Sequence, residues 1–268
     1  QNINEIKHPT VKSLLNFLKI KNGLEIHYDG DLPARSGMGS SSAFTVGLIK
    51  ALYCLLDRKI SNIDIAKKSI FFEQQIMKEV VGSQDQMIVA RGGFNKITFK
   101  KNNQFKFYNF KKNNNLKKLE SNLMLIYTGV RRTAQEIAKT YAGKLTTTNK
   151  GYIQDMLEHV KAGEKILRGG NIDDFGRLLH SAWLTKKKLS NSVSNASIDN
   201  LYEYVLKKGA LGGKLLGAGG GGFFLFYINK EIKKKFLQKN KKIINIPFKF
   251  SESGSEIVFK DLGRKNEI

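Results

Sequence analysis

Residues 32 to 48, LPARSGMGSSSAFTVGL, put a glycine and serine loop directly in front of an apolar helical pattern. Upstream, Leu24, Ile26 and Tyr28 alternate with Glu25, His27 and Asp29, the period of a half-buried strand, which Gly30 and Pro33 end. Downstream, Phe44, Leu48, Leu52 and Leu55 recur at helical spacing, while Ala43, Gly47 and Ala51 let that helix pack closely. The expected order is strand, loop, helix. Such an order favours anion binding, because the first N–H groups of a helix have no internal partner and carry partial positive charge. Gly37 and Gly39 let the backbone approach an oxyanion, and Ser40, Ser41 and Ser42 offer hydroxyls to phosphate oxygens or a metal ion. No G-x-x-x-x-G-K-[ST] is present, so no lysine follows the last glycine. A turn with a serine N-cap has the same composition, and from these residues alone both readings stand.

The chain has 268 residues, enough for one large domain or two smaller ones, and a formal net charge of +23. Its basic residues are scattered in groups such as Lys117-Lys118, Lys186 to Lys188 and Lys233 to Lys235, a pattern expected of a solvated surface. Without aromatic interleaving or an Arg-rich arm, nucleic acid is not required, and anionic metabolites suit the charge equally well. Cys54 is the single cysteine, which rules out an internal disulfide and suits a reducing compartment; on an apolar helix it reads as a buried, inert thiol. No apolar run approaches the roughly 20 residues that span a bilayer, and no signal-peptide pattern opens the sequence, so a soluble, cytoplasmic protein is expected. The sequence begins at Gln1 rather than at a methionine and enters a helical pattern at Val11 to Lys19, as an internal or processed fragment would.

A second helix is expected over Ile63 to Lys78, with Glu73 among its apolar residues. The polar turn Gly82-Ser83-Gln84-Asp85-Gln86 then leads into a short apolar segment, Gly92-Gly93 and a strand over 94–99. Asp85 sits where a helix could start and could simply cap it. An acid on a loop, a second acid on the preceding helix and a phosphate-ready loop are also the parts that phosphoryl transfer needs.

Further along, strands are expected at 105–110 and 122–127, joined by an exposed Lys and Asn connection at 111–118. Thr128-Gly129 ends the second strand, and Arg131-Arg132 open a helix whose dipole they oppose unless an anion is present; a solvent-facing pair is the other reading. Three helices follow at about 149–168, 172–189 and 196–208, with Met156, Val160, Ile166, Leu178, Leu179, Trp183 and Leu184 as core. None of the four histidines, His8, His27, His159 and His180, has metal-ligand spacing with an acid or thiol. A strand at 214–216, five glycines among residues 217–222 and an apolar strand at 223–228 come next. So many glycines imply close approach of the backbone to a ligand or to the first loop. A basic helix at 230–240 and strands at 246–250 and 255–259 complete the pattern.

Taken together, PARSGMGSSSAFTVGL, FFEQQ, GSQDQ, GGFN and KLLGAGGGGFFLFY resemble the second and third signature segments of the GHMP small-molecule kinases. NEIKHP, the ARSG form of the loop, the QDQ turn and TGVRRTAQEI at 128–137 resemble in particular the branch of bacterial D-glycero-D-manno-heptose 7-phosphate kinases. The resemblance implies an α+β, two-lobed fold, with a ribosomal-protein-like ATP-binding lobe at 1–120 and a ferredoxin-like lobe at 121–268. It implies that Arg35, Ser36, Gly37, Gly39, Ser40, Ser41 and Ser42 hold the ATP phosphates. Ser41, or its neighbour Ser42, and Glu73 would then bind Mg²⁺, and Asp85 would accept or orient the proton of the attacking hydroxyl. Arg131 or Arg132 would meet the sugar phosphate, with Gly219 and Gly220 beside the substrate.

The reaction implied is phosphorylation of the anomeric hydroxyl of the heptose 7-phosphate, giving the 1,7-bisphosphate for nucleotide-activated heptose and surface polysaccharide. ATP and a sugar phosphate are the partners, and a homodimer stays open. The family also opens with a strand and a glycine-rich segment, approximately R-A-P-L-R then G-G-G-T-D, which this sequence lacks. A fucokinase-like sugar 1-kinase and a basic RNA-binding protein of similar fold are the rival readings.

Overall fold

The computed structural model describes residues 3–21, 23–32, 37–100, 104–131 and 134–261. It divides into two compact units that interleave in sequence. Unit 1 takes the chain up to Asp31, then Ser41–Gly93 and the tail from Ser251, whereas unit 2 takes Leu32–Ser40 and Phe94–Phe250. Lobes at 1–120 and 121–268 would put the hairpin that starts at Phe94 in the first unit; it belongs to the second.

Unit 1 is built from α1 (Pro9–Leu18), α2 (Ser40–Leu55), α3 (Asn62–Phe71), a single π-helical turn (Phe72–Ile76) and α4 (Gln84–Arg91). Pro9 opens α1, where its missing N–H costs nothing, and the Ser61 hydroxyl accepts from the Asp64 N–H to cap α3. The helices bury Leu14, Leu15, Val46, Ile49, Leu52, Ile65, Phe72 and Met87, while Leu55 is exposed and Cys54 half-buried rather than enclosed.

Among the described residues, unit 1 contains no strand. Residues 24–28 have the alternation of a strand but form no ladder, and Tyr28 is 61% exposed. Alternation supplies a face, but a strand also needs a neighbouring edge to accept its N–H and C=O groups. The 255–259 stretch fails likewise, with Val258 94% exposed. Just before it the tail is tied down: Gly93 N–H donates to Ser251 O at 2.9 Å and Ser255 N–H to Val89 O at 2.8 Å.

Unit 2 begins with an antiparallel hairpin, β1 (Phe94–Phe99) and β2 (Phe105–Phe110), then α5 (Asn114–Asn122), β3 (Leu123–Tyr127), α6 (Ala134–Ala142), α7 (Lys150–Gly169), α8 (Asp173–Lys187), α9 (Ala196–Lys207), β4 (Ala210–Leu215), β5 (Phe223–Ile228), α10 (Lys230–Lys239) and β6 (Asn245–Ile246). The last four strands form an antiparallel sheet in the order β4-β5-β3-β6. Met124, Ile126, Phe224 and Phe226 on one face pack with Trp183, Tyr202 and Val205; Leu123 and Tyr227 on the other pack with Leu116, Leu119 and Leu167.

The expected connection at 111–118 is instead the start of α5. Asn113 caps that helix through Leu116 N–H, and Leu116 and Leu119, three residues apart, bury its inner face. Strand 246–250 shrinks to the two residues of β6, and Phe248 and Phe250 pack as side chains into the second core.

Candidate active site

Glu73 lies in the π-helical turn, where Met77 N–H reaches back five residues to Phe72 O at 2.8 Å. The inserted residue re-aims this stretch of helix, a device common at functional sites. Glu73 is only 2% exposed. Ser42 Oγ, on the first turn of α2, donates to Glu73 Oε2 at 3.0 Å, and Gln86 Nε2, on α4, donates to the same oxygen. Glu73 Oε1 and Gln86 Oε1 are buried with no hydrogen-bond partner. Burial pushes the Glu73 carboxyl above the usual range; the hydrogen bonds from Gln86 and Ser42 oppose this, and the nearby Asp85 adds to it.

Asp85 lies in the first turn of α4, and the N-cap position falls two residues earlier, at Ser83, whose side chain makes no capping hydrogen bond. Burial raises its pKa too, against a hydrogen bond from Gln84. Glu79 is raised by burial and by Glu73. The result is a pair of poorly solvated carboxylates, Glu73 and Asp85, beside a serine hydroxyl at the head of a helix. An unpartnered buried carboxylate oxygen is a natural ligand for a divalent cation, so the residues fit Mg²⁺. No group of three or more His, Cys, Asp or Glu able to hold a metal occurs among the described residues.

Ser42, not Ser41, meets Glu73; the Ser41 side chain is exposed, and its carbonyl accepts from Thr45 Oγ1 at 3.2 Å. Gly37 and Gly39 take positive φ, 79° and 72°, as the loop reading requires. Arg35, Ser36 and Arg132 lie outside the described residues. Gly37, Gly39 and Ser40 belong to unit 2, the unit that also holds the 217–222 turn.

In unit 2, the 217–222 turn packs against the loop after β3, expected on the substrate side, and against the turn between α8 and α9. Gly222 N–H donates to Val130 O at 2.9 Å, and Gly220 N–H donates to Val193 O at 2.7 Å. Thr128 donates to Gly222 O through both its N–H and its hydroxyl. Arg131, exposed and next to Val130, is thereby brought beside the glycine turn. The glycines were expected to make room for a ligand or for the first loop, but the protein itself fills that room. A Cβ on Gly219 would meet Val193 Cα at 2.9 Å, and one on Gly220 would meet Ile137 Cδ1 at 2.9 Å.

Two residues that hold these groups escaped the sequence reading. Gln86, fully buried, follows Asp85 in the QDQ turn, and polar residues clustered there were the available signal. Lys186 belongs to a triplet expected on the surface, yet it is 6% exposed and donates to Leu215 O at 2.8 Å and Gly217 O at 2.5 Å, clasping the entry to the glycine turn. Its spacing of three and four residues from the buried Trp183 and Ala182 was the clue. Two of the histidines are held by side-chain hydrogen bonds: His180 Nδ1 shares a 2.6 Å hydrogen bond with Tyr202 OH, and His159 pairs with Thr185 at 3.2 Å.

A glycine loop leading into a helix, a buried acid under that helix's first turn and a second raised acid beside it define a phosphotransferase type of site. Comparison with known proteins agrees. The GHMP kinase N-terminal domain matches residues 5–93 and the GHMP kinase C-terminal domain residues 163–243. The chain belongs to the GHMP kinase family, whose members use ATP, generally with Mg²⁺.

It is 31% identical to the D-glycero-alpha-D-manno-heptose 7-phosphate kinase of Campylobacter jejuni over 250 residues, covering 89% of this chain and 73% of that protein. It is 28% identical to the mevalonate kinase of Methanocaldococcus jannaschii, covering 88% and 72%. In fold it is similar to a D-glycero-D-manno-heptose 1-phosphate kinase from Bacteroides thetaiotaomicron, with a TM-score of 0.66, 23% identity, and 91% and 71% of the two chains covered. No described helix is long and apolar enough to cross a membrane.

Proposed function

We propose that this protein phosphorylates the anomeric hydroxyl of D-glycero-D-manno-heptose 7-phosphate with ATP and Mg²⁺, giving the 1,7-bisphosphate and ADP in the cytoplasm. The observation that carries this reading is Glu73: a buried acid with one oxygen unmet, bonded through the other to the first turn of α2, with Asp85 close enough to raise it. Similarity to the Campylobacter heptose 7-phosphate kinase supports the sugar. The product would supply nucleotide-activated heptose for surface polysaccharide.

In this mechanism Arg35, Ser36, Gly37, Gly39 and Ser40 to Ser42 cradle the nucleotide phosphates through backbone N–H groups and hydroxyls. Ser42 and Glu73 would hold Mg²⁺, the part the resemblance gives first to Ser41, and the bound ion would supply positive charge against the transferring phosphoryl group. Asp85 orients the sugar hydroxyl and accepts its proton as the new O–P bond forms and the bond to ADP breaks. Its raised pKa brings it nearer the operating pH, which favours general-base work. Arg131 or Arg132 pairs with the 7-phosphate, with the turn carrying Gly219 and Gly220 beside Arg131.

The test is ADP release, with ³¹P NMR of the product, for the purified chain with Mg-ATP and heptose 7-phosphate, against free heptose, fucose, galactose and mevalonate. Turnover confined to the phosphorylated heptose, lost in Asp85→Asn, is the expected result. Equal rates with free sugars would overturn the substrate, and fucose preference would favour the fucokinase-like rival.

A further inference from the structure

Unit 2 holds an open pocket of about 290 Å³ that the proposed reaction does not use, lined by the β1–β2 hairpin, α7, α8 and β4. Its wall is apolar over most of its area, with Met156, Val160, Leu178 and the rings of Phe94 and Phe110. Lys214 opens into it. Paired with Leu225 in the β4–β5 ladder, Lys214 lies on the sheet face that carries Leu225 and Tyr227. The lysine is half-buried in this wall, burial lowers its pKa, and among the described residues no hydrogen bond or ion pair meets its ammonium.

The other covered lysines of the unit are treated differently. Lys186 gives its ammonium to Leu215 O and Gly217 O, and Lys233 gives its own to Ser121 O and Leu123 O. Glu164, the acid on the cavity wall, is committed: Lys96 takes Oε2 and Arg168 takes Oε1. An ammonium partly withdrawn from water and left without a partner favours an anion that would pair with it.

We propose that this cavity is a second ligand site, taking a compact organic carboxylate whose apolar body fills the pocket and whose anionic head pairs with Lys214. The size lies at the small end of ligand pockets, roughly 300–1,000 Å³, which excludes a nucleotide. The mainly apolar lining suits an apolar body better than a sugar, most of whose hydroxyls would face carbon. The site is independent of the kinase assignment, since it shares no residue with Ser42, Glu73, Asp85 or the glycine turns.

Octanoate is the probe, with octanol and inorganic phosphate as controls, measured on the full chain by titration calorimetry and by thermal shift. Octanoate should bind and raise the melting temperature, octanol should bind more weakly, and phosphate should do neither. Lys214→Met should weaken octanoate about tenfold or more while the ligand-free protein melts no lower than wild type. Val160→Trp, which fills the cavity and keeps the lysine, should also abolish octanoate binding and serves if the lysine variant does not fold. The assignment is overturned if octanoate fails to bind wild type at millimolar concentration, if the variants bind it equally well, or if phosphate matches it. Because the readout is binding, a negative result here leaves the kinase reading untouched, and an inactive kinase leaves this one standing.

Discussion

Glu73 and Asp85 are kept where an ionised carboxylate is poorly solvated, so each destabilises the fold at the pH where the kinase would need it charged. Their folded pKa values lie above the unfolded ones of 4.5 and 3.8, so the folded state binds protons more tightly. The stability this contributes is full below the unfolded values and is lost as pH rises through the raised folded values. Glu73→Gln and Asp85→Asn are therefore expected to raise the melting temperature at pH 7, and the gain should shrink as pH falls and vanish only below the unfolded values of 4.5 and 3.8, where the carboxyl is protonated in both states; melts across pH check this. Activity should move the other way, with Asp85→Asn losing about 10²- to 10⁴-fold in turnover, the usual contribution of a positioned base. A variant that is more stable and inactive is the signature of a site tuned for reaction rather than for folding. From the sequence Asp85 could equally cap a helix, and only its company with Glu73 and the glycine and serine loop singled it out; the structure adds that it is close enough to Glu73 to raise that acid's pKa. Ser42 was not separable from Ser41, since adjacent helical positions differ only in the face they present, and the packing of α2 selects that face.

At the scale of elements, the glycine turn is held by its neighbours. Lys186 reaches from α8 to the carbonyls of Leu215 and Gly217. Lys186→Met removes both donors and leaves those carbonyls unmet, at a cost of about 1–3 kcal/mol, to be read by urea denaturation. Should the turn serve the substrate side, KM for the sugar phosphate should rise as well. Helix α8 also rides directly on β4: a Cβ on Gly212 would meet Gly176 O at 2.1 Å, a contact that no rotamer relieves. Gly212→Ala should therefore destabilise by about 1–3 kcal/mol or more through overpacking, whereas Gly151→Ala on α7, with nothing within 4 Å of the added methyl, should not. These elements were legible where periodicity was strong: α7, α8, α9 and β5 form where the apolar spacing predicted. Residues 24–28 and 255–259 show the converse, since a pattern of period two names a face without providing the partner edge.

For the molecule as a whole, the charge of +23 and the kinase fold predict separable behaviours. Polyanions such as RNA should bind the chain in low salt and release it steeply as salt rises, because the attraction comes from counterion release at a diffuse basic surface. Mg-ADP should instead stabilise the protein in a saturable way, by about 2.7 kcal/mol at a hundredfold excess over its Kd, with little dependence on salt. Filter binding across a salt series alongside thermal shift with Mg-ADP reads both. RNA binding that resists physiological salt, with no response to Mg-ADP, would point to the RNA-binding rival.

What the amino-acid order determined by itself was local: helices and strands with a clear period, two turns that only glycine can make, and the acids placed between them, enough to assign the family. Tertiary structure alone decided which of two neighbouring serines reaches Glu73, which lysine of a surface-like triplet is buried, and which protein segments fill the space beside the glycines. It also left Lys214 facing a cavity without a counter-charge. The reason is physical. Periodicity and turn chemistry act over a few residues and can be read along the chain, whereas burial, hydrogen-bond partners and pKa depend on groups brought together from far apart in sequence, which exist only once the chain has folded.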